Sequence, residues 1–136
     1  MIRQVEFKLS SRSRGFHLIT SEISQYLPEL PKSGLLHIFC KHTSAGICIN
    51  ENADPDVLHD YAYVFDRLVP ENISGLKHTL EGPDDMPAHI KTTLTGSDLT
   101  IPITNYKLNL GTWQGIYLCE FRNQGGSRKT VATIWS

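Results

Sequence analysis

The segment His78-Thr79-Leu80-Glu81-Gly82-Pro83-Asp84-Asp85-Met86-Pro87-Ala88-His89 sets two histidines at the ends of a stretch holding three carboxylates and a Gly-Pro turn. Imidazoles and acids gathered on so short a loop suit a metal site or proton-transfer chemistry. A third imidazole, His42, stands at the end of an apolar strand beside a turn of small residues, where scaffolds present reactive side chains. The spacing predicts a helix beginning at Pro87, which places His89 in a first turn where the helix dipole disfavours imidazolium and keeps the ring ready to bind a metal. Together His42, His78 and His89 would give zinc three ligands and leave a fourth position for water or a ligand. Magnesium is the harder alternative, since it prefers oxygen donors.

The carboxylates sort by whether they already have a structural role. Asp54 precedes Pro55-Asp56 and reads as a helix cap. Glu81, with Asp84 or Asp85, is placed to orient a ligating imidazole through its second nitrogen. Glu51 lies at a strand end with no capping role and is a candidate general base. Glu120 shares a strand face with Gln114, Ile116 and Leu118, so it must be paired or line a cavity. Gly125-Gly126-Ser127-Arg128-Lys129 offers backbone amides and two cations, Arg128 and Lys129, that could hold a phosphate, although such a stretch also serves as a plain hairpin tip. Of the other histidines, His37 is mid-strand, His59 lies on a polar helix face and His17 has no acidic neighbour; none is given a site.

These residues must be positioned by a modest scaffold. The chain has 136 residues, 40% hydrophobic and 20% charged, which predicts one globular domain over residues 1–136. A formal net charge of −1 gives no overall attraction to nucleic acid or anionic membrane. Cys40, Cys48 and Cys119 lie in apolar runs with no CxxC spacing, so they read as reduced, buried thiols of a cytoplasmic protein. No apolar run approaches membrane-spanning length.

Local patterns predict strands at Ile2–Leu9, Leu35–His42, Ile47–Asn50, Leu99–Ile103 (at an edge or bulge because of Pro102), Trp113–Arg122 and Lys129–Trp135. Helices are predicted after Ile19, with Thr20 as its cap, from Asp54 onward and from Pro87 to Gly96. Asn123–Arg128 reads as a hairpin joining the last two strands. This order has too few βαβ units for a doubly wound sheet. It predicts an α+β fold with a largely antiparallel or mixed, sandwich-like sheet and two or three helices.

Four stretches occur in an order that resembles the YjbQ-like family: His42-Thr-Ser-Ala, Asn50-Glu51-Asn-Ala-Asp54-Pro-Asp56, Glu81-Gly-Pro-Asp-Asp-Met-Pro-Ala-His89-Ile-Lys91 and Gly111-Thr-Trp113-Gln114-Gly115. The resemblance covers essentially the whole chain. It implies a small α+β protein assembling as a homotrimer, with a bound divalent metal near its histidines. It also implies a secondary, thiamine-phosphate-synthase-like transferase activity that joins a pyrimidine pyrophosphate to a thiazole phosphate. On that reading His42, His78 and His89 hold the metal, Glu51, Glu81, Asp84 and Gln114 are the catalytic candidates, and Arg128 and Lys129 meet a small phosphorylated metabolite. The alternatives are a metal-dependent hydrolase of such a metabolite and a non-catalytic trimeric metal- or anion-binding protein.

Overall fold

The run Ile116-Tyr117-Leu118-Cys119 shows no polar alternation because the strand that contains it is covered on both faces. A computed structural model describes residues 1–136. Its elements are β1 (Ile2–Leu9), β2 (Gly15–Leu18), α1 (Thr20–Tyr26), β3 (Ser33–Cys40), β4 (Ala45–Glu51), α2 (Pro55–Leu68), α3 (Asp85–Thr95), β5 (Asp98–Thr104), β6 (Lys107–Leu108), β7 (Gln114–Glu120) and β8 (Arg128–Trp135). The fold is α+β, with three helices and every strand pair antiparallel.

The strands form two sheets, a five-stranded one in the order β1-β8-β3-β5-β6 and a three-stranded one in the order β2-β7-β4. Their facing sides share one core: Leu9, Leu36, Ile38, Ile101 and Ile134 from the larger sheet meet Ile47, Ile116 and Leu118 from the smaller, with Ile19 and Ile23 of the α1 region closing one side. The opposite side of the smaller sheet carries Phe16, Tyr117, Cys119 and Phe121, which pack against Ala88 of α3 and against Leu58, Tyr61 and Phe65 of α2. The layers are therefore large sheet, small sheet, helices. β7 lies in the middle layer, which accounts for its unbroken apolar run.

Asp54 caps α2 as predicted, its carboxylate accepting from the Asp56 amide at 2.9 Å, with Pro55 at the first helical position. Such a cap contributes about 1 kcal/mol. Pro102 is tolerated because β5 pairs on its outer side only with the two-residue β6. No helix is long and apolar enough to cross a membrane.

Two local expectations are corrected. The Asn123–Arg128 segment does not close a hairpin, because β7 belongs to the small sheet and β8 to the large one. It is a corner, and the short connection from β3 to β4 is a second corner at the same end: the Phe121 amide donates to Ser44 O and the Lys41 amide to Lys129 O. Thr20 does not cap α1; its hydroxyl accepts from the Ile116 amide at 2.9 Å and ties the helix to β7.

The β1–β2 turn is held by Glu22 of α1, which accepts from the Ser10 amide at 2.8 Å and from Arg12 at 2.6 Å. Burial opposes its charge, but the Ser10 amide and the Arg12 guanidinium outweigh burial and hold its carboxyl below the usual range. A depressed carboxyl stabilises the fold above its unfolded pKa, and that contribution is lost as pH falls through the folded value. Glu22→Gln should therefore lower Tm at neutral pH, with the gap to the parent closing below about pH 4. Melting curves across that window check it; a gap that persists at the acid end would refute the electrostatic account.

Candidate metal centre

The two corners and the start of α3 meet at one end of the sandwich, and the histidine loop lies against them. Asp85 opens α3 and is buried, with only 2% of its side chain exposed. His89 follows one helical turn later, on the same face. His78, on the loop before the helix, reaches back over them: the His78 and His89 ring centres are 5.5 Å apart. One oxygen of Asp85, Oδ2, lies 2.7 Å from His78 Nε2 and 3.1 Å from His89 Nε2. One donor atom from each of these residues lies within 4.8 Å of the other two.

Each member has a reason for its position. His89 Nδ1 donates to the Thr43 carbonyl at 2.8 Å, which fixes the ring and directs Nε2 at Asp85. Asp85 Oδ1 accepts from Arg122 at 2.5 Å, and the same guanidinium donates to Asp84 at 2.9 Å and to the Glu81 carbonyl at 3.0 Å. Arg122 thus ties the corner after β7 to the start of α3. Burial disfavours the charge on Asp85, yet the His78 hydrogen bond and the charges of His89 and Arg122 outweigh it and hold its carboxyl below the usual range. Asp84 is likewise held low: the Asn123 amide and Arg122 overcome its burial. Both acids are carboxylates at neutral pH, so the centre offers one anionic oxygen and two imidazole nitrogens.

This differs from the three-imidazole set expected from the sequence. The close group comprises His78, Asp85 and His89. His42 lies next to it but is otherwise engaged, its Nε2 accepting from the Lys129 amide at 2.7 Å. Burial first, then the Arg128 charge, hold His42 below the ordinary imidazole value. A neutral ring that accepts at Nε2 carries its proton on Nδ1, so neither nitrogen has a free lone pair. The helix starts at Asp85 rather than Pro87, so Asp85, not His89, occupies the first turn.

The remaining candidates divide by position. Glu81 is near, its carboxylate 3.4 Å from His78 Nε2. Asp84 positions Arg122 and touches neither imidazole. Glu51 and Gln114 face each other at the opposite end of the β4–β7 pair from Ala45 and Glu120, about 20 Å along the strands. They cannot act at this centre within one chain. Gln114 instead accepts from the Gly111 amide at 2.7 Å and closes its own loop.

Arg128 is buried and clamps Glu120 through two of its nitrogens, at 2.8 and 2.5 Å, so it is not free to meet a phosphate. Gly125 is required there for a different reason than anion binding: a Cβ would sit 2.4 Å from Glu120 Oε1 and 2.5 Å from an Arg128 nitrogen. Lys129 is exposed, and its amide is used by His42. Sequence reasoning missed Arg122 and preferred Asp84 to Asp85. The Asp85–His89 spacing of one turn was the available signal, hidden by the misplaced helix start.

Beside the centre is a cleft of about 610 Å³, lined by His42, Thr43, His89, Thr92, Thr93, Gly96 and Ser97 with no hydrophobic residue. His89 is common to both, so the centre opens onto the cleft.

The family described as UPF0047 protein YjbQ-like matches residues 5–136. The YjbQ protein of Escherichia coli is 47% identical over 133 residues, covering 96% of each chain. A Synechocystis UPF0047 protein is 42% identical, covering 93% of this chain and 86% of its own. A solved YjbQ/UPF0047 structure from Clostridium acetobutylicum matches with a TM-score of 0.79 and 39% identity, covering 96% of this chain and 98% of its own. A structure from Sulfolobus solfataricus, described as of unknown function, matches with a TM-score of 0.85 and 25% identity, covering 98% and 96%.

These relatives correct the expected thiamine-phosphate-synthase-like activity: they carry only the family description, with no synthase among them. The geometry points the same way, since Arg128, Glu51 and Gln114 do not converge on the histidines. The chain belongs to the YjbQ-like UPF0047 family.

Proposed function

We propose that this chain is a divalent-metal-binding protein whose His78–Asp85–His89 centre holds an ion at the mouth of a polar cleft. The observation that carries the proposal is the crowding of two imidazole nitrogens onto one carboxylate oxygen, at 2.7 and 3.1 Å. His89 faces oxygen acceptors with both nitrogens. That arrangement suits either a doubly protonated ring or a cation in place of the Nε2 proton. Donors about 2.0–2.1 Å from a tetrahedral zinc stand about 3.3 Å apart, so the two nitrogen–oxygen separations would each widen by only a few tenths of an ångström to admit the ion. Two nitrogens and one carboxylate oxygen suit zinc better than magnesium.

The chain's own residues do the positioning. Thr43 fixes the His89 tautomer, Arg122 aims Asp85, and exposed His78 closes the third side. A bound ion would supply Lewis acidity at an open coordination position. The polar cleft supports a small phosphorylated or similarly anionic ligand there. Thr92 Oγ1 at its wall is the one buried side-chain polar atom without a hydrogen-bond partner.

Titration calorimetry with zinc in two buffers of different ionisation enthalpy tests the reading. One equivalent per chain should bind, and the heats should differ between buffers because the ion displaces a proton. No saturable binding would leave the three residues as a simple ion-pair cluster.

A further inference from the structure

Two of the cysteines form a pair that the metal centre does not use. Cys48 on β4 and Cys119 on β7 lie on the helix-facing side of the small sheet, and their sulfurs are 3.5 Å apart. In the strand register Cys48 is opposite Tyr117 and Gly46 opposite Cys119, so the pair is diagonal, with no residue between the sulfurs. Forming a disulfide needs an S–S distance of about 2.05 Å, an approach of about 1.5 Å that side-chain rotation and slight strand movement can supply.

We infer that Cys48 and Cys119 are a peroxide-sensitive dithiol that closes into an intramolecular disulfide. Cys48 is the attacking sulfur. It is half-buried, whereas Cys119 is fully buried. Hydrogen bonding from Cys119 holds Cys48 below the ordinary thiol value, and the same partner, with burial, pushes Cys119 up. A lower thiol pKa gives more thiolate, the nucleophilic form. Access comes from α2, whose Leu58 and Tyr61 pack beside this side of the sheet. No α2 residue is fully buried, so the helix can lift without opening the main core.

The chemistry balances with a hydroperoxide as oxidant. The Cys48 sulfur attacks one peroxide oxygen, the O–O bond breaks, and the departing oxygen takes the thiol proton and leaves as water or an alcohol. Cys48 is then a sulfenic acid. The Cys119 sulfur attacks it, the S–S bond forms, and the hydroxyl leaves with the Cys119 proton as water. The two sulfurs lose two electrons and the peroxide gains them. Cys40 is an internal control: it lies fully buried in the main core, where burial pushes its thiol up.

The test treats the intact protein with a small excess of hydrogen peroxide and follows thiol titre, mass and peptide linkage. Two of the three thiols should disappear, with a mass loss of about 2 Da, a Cys48–Cys119 linked peptide and full recovery on treatment with dithiothreitol. Cys119→Ser should stop at a Cys48 sulfenic acid that dimedone traps, and Cys48→Ser should keep both remaining thiols. Retention of all three thiols in the parent protein, a link through Cys40, or cross-linking between chains on a non-reducing gel would overturn the assignment.

Discussion

Replacing His78 or His89 with alanine, or Asp85 with asparagine, should weaken zinc binding by more than about 100-fold, while alanine at His42 should change it by less than about threefold. Loss of residues that only orient ligands typically costs 10–100-fold, so loss of a ligand should exceed that range. The contrast with His42 separates two models. In the three-imidazole set expected from the sequence His42 is a ligand; in the fold its Nε2 already accepts from the Lys129 amide and Asp85 takes the third position. Competition against a chromophoric chelator, with Tm recorded for each variant, distinguishes a lost ligand from a lost fold. Asparagine is chosen at Asp85 because it keeps the carbonyl oxygen while removing the charge. It also avoids leaving Arg122 facing an empty space. If His42→Ala loses the metal as completely as His89→Ala, the assignment of Asp85 fails.

Much of the scaffold was legible from local pattern, and its failures share one cause. The Asp54-Pro55-Asp56 start, the place of Pro102 in a strand with only the two-residue β6 outside it, and the burial of Leu36 and Ile38 follow from nearest neighbours in the chain. Sheet membership does not. A Gly-rich connection between two strands looks the same whether the second strand folds back beside the first or crosses to another sheet. Only distant partners decide it: β8 pairs with β1 and β3, and β7 with β2 and β4. The same limit governed the site. His78, His89 and their acids were visible because they lie on one short segment. Arg122, which aims Asp85, comes from the corner after β7 and had no local signature. The misreading of Arg128 had the opposite origin: its neighbours Gly125, Gly126 and Lys129 look like a phosphate cradle, and its true partner Glu120 was visible only as an acid needing a counter-ion.

Arg128→Ala should destabilise the fold by about 3–5 kcal/mol, the largest single-residue effect expected outside the apolar core. Glu120 has no exposed side-chain surface and Arg128 only 4%. Removing the cation leaves a buried carboxylate without its partner, and uncompensated buried charges carry penalties of this size. Arg128 also donates to the Ser44 carbonyl at 3.2 Å, so the same side chain joins the β3–β4 corner to the β7–β8 corner. Removing both charges, as in Glu120→Gln with Arg128→Met, should recover much of the loss, because the large cost arises from breaking the pair rather than from lacking it. Urea unfolding of both single variants and the double variant gives the coupling energy directly. A cost below about 1 kcal/mol for Arg128→Ala would place the pair among weak surface ion pairs and contradict its burial. Because the corners carry His42, Thr43 and Arg122, a loosened clamp should also blur the His89 and Asp85 positions. Zinc affinity in Arg128→Ala should then fall even though Arg128 does not touch the ion's ligands. Recovery of that affinity in the double variant would show that corner rigidity, not the guanidinium charge, is what the centre requires.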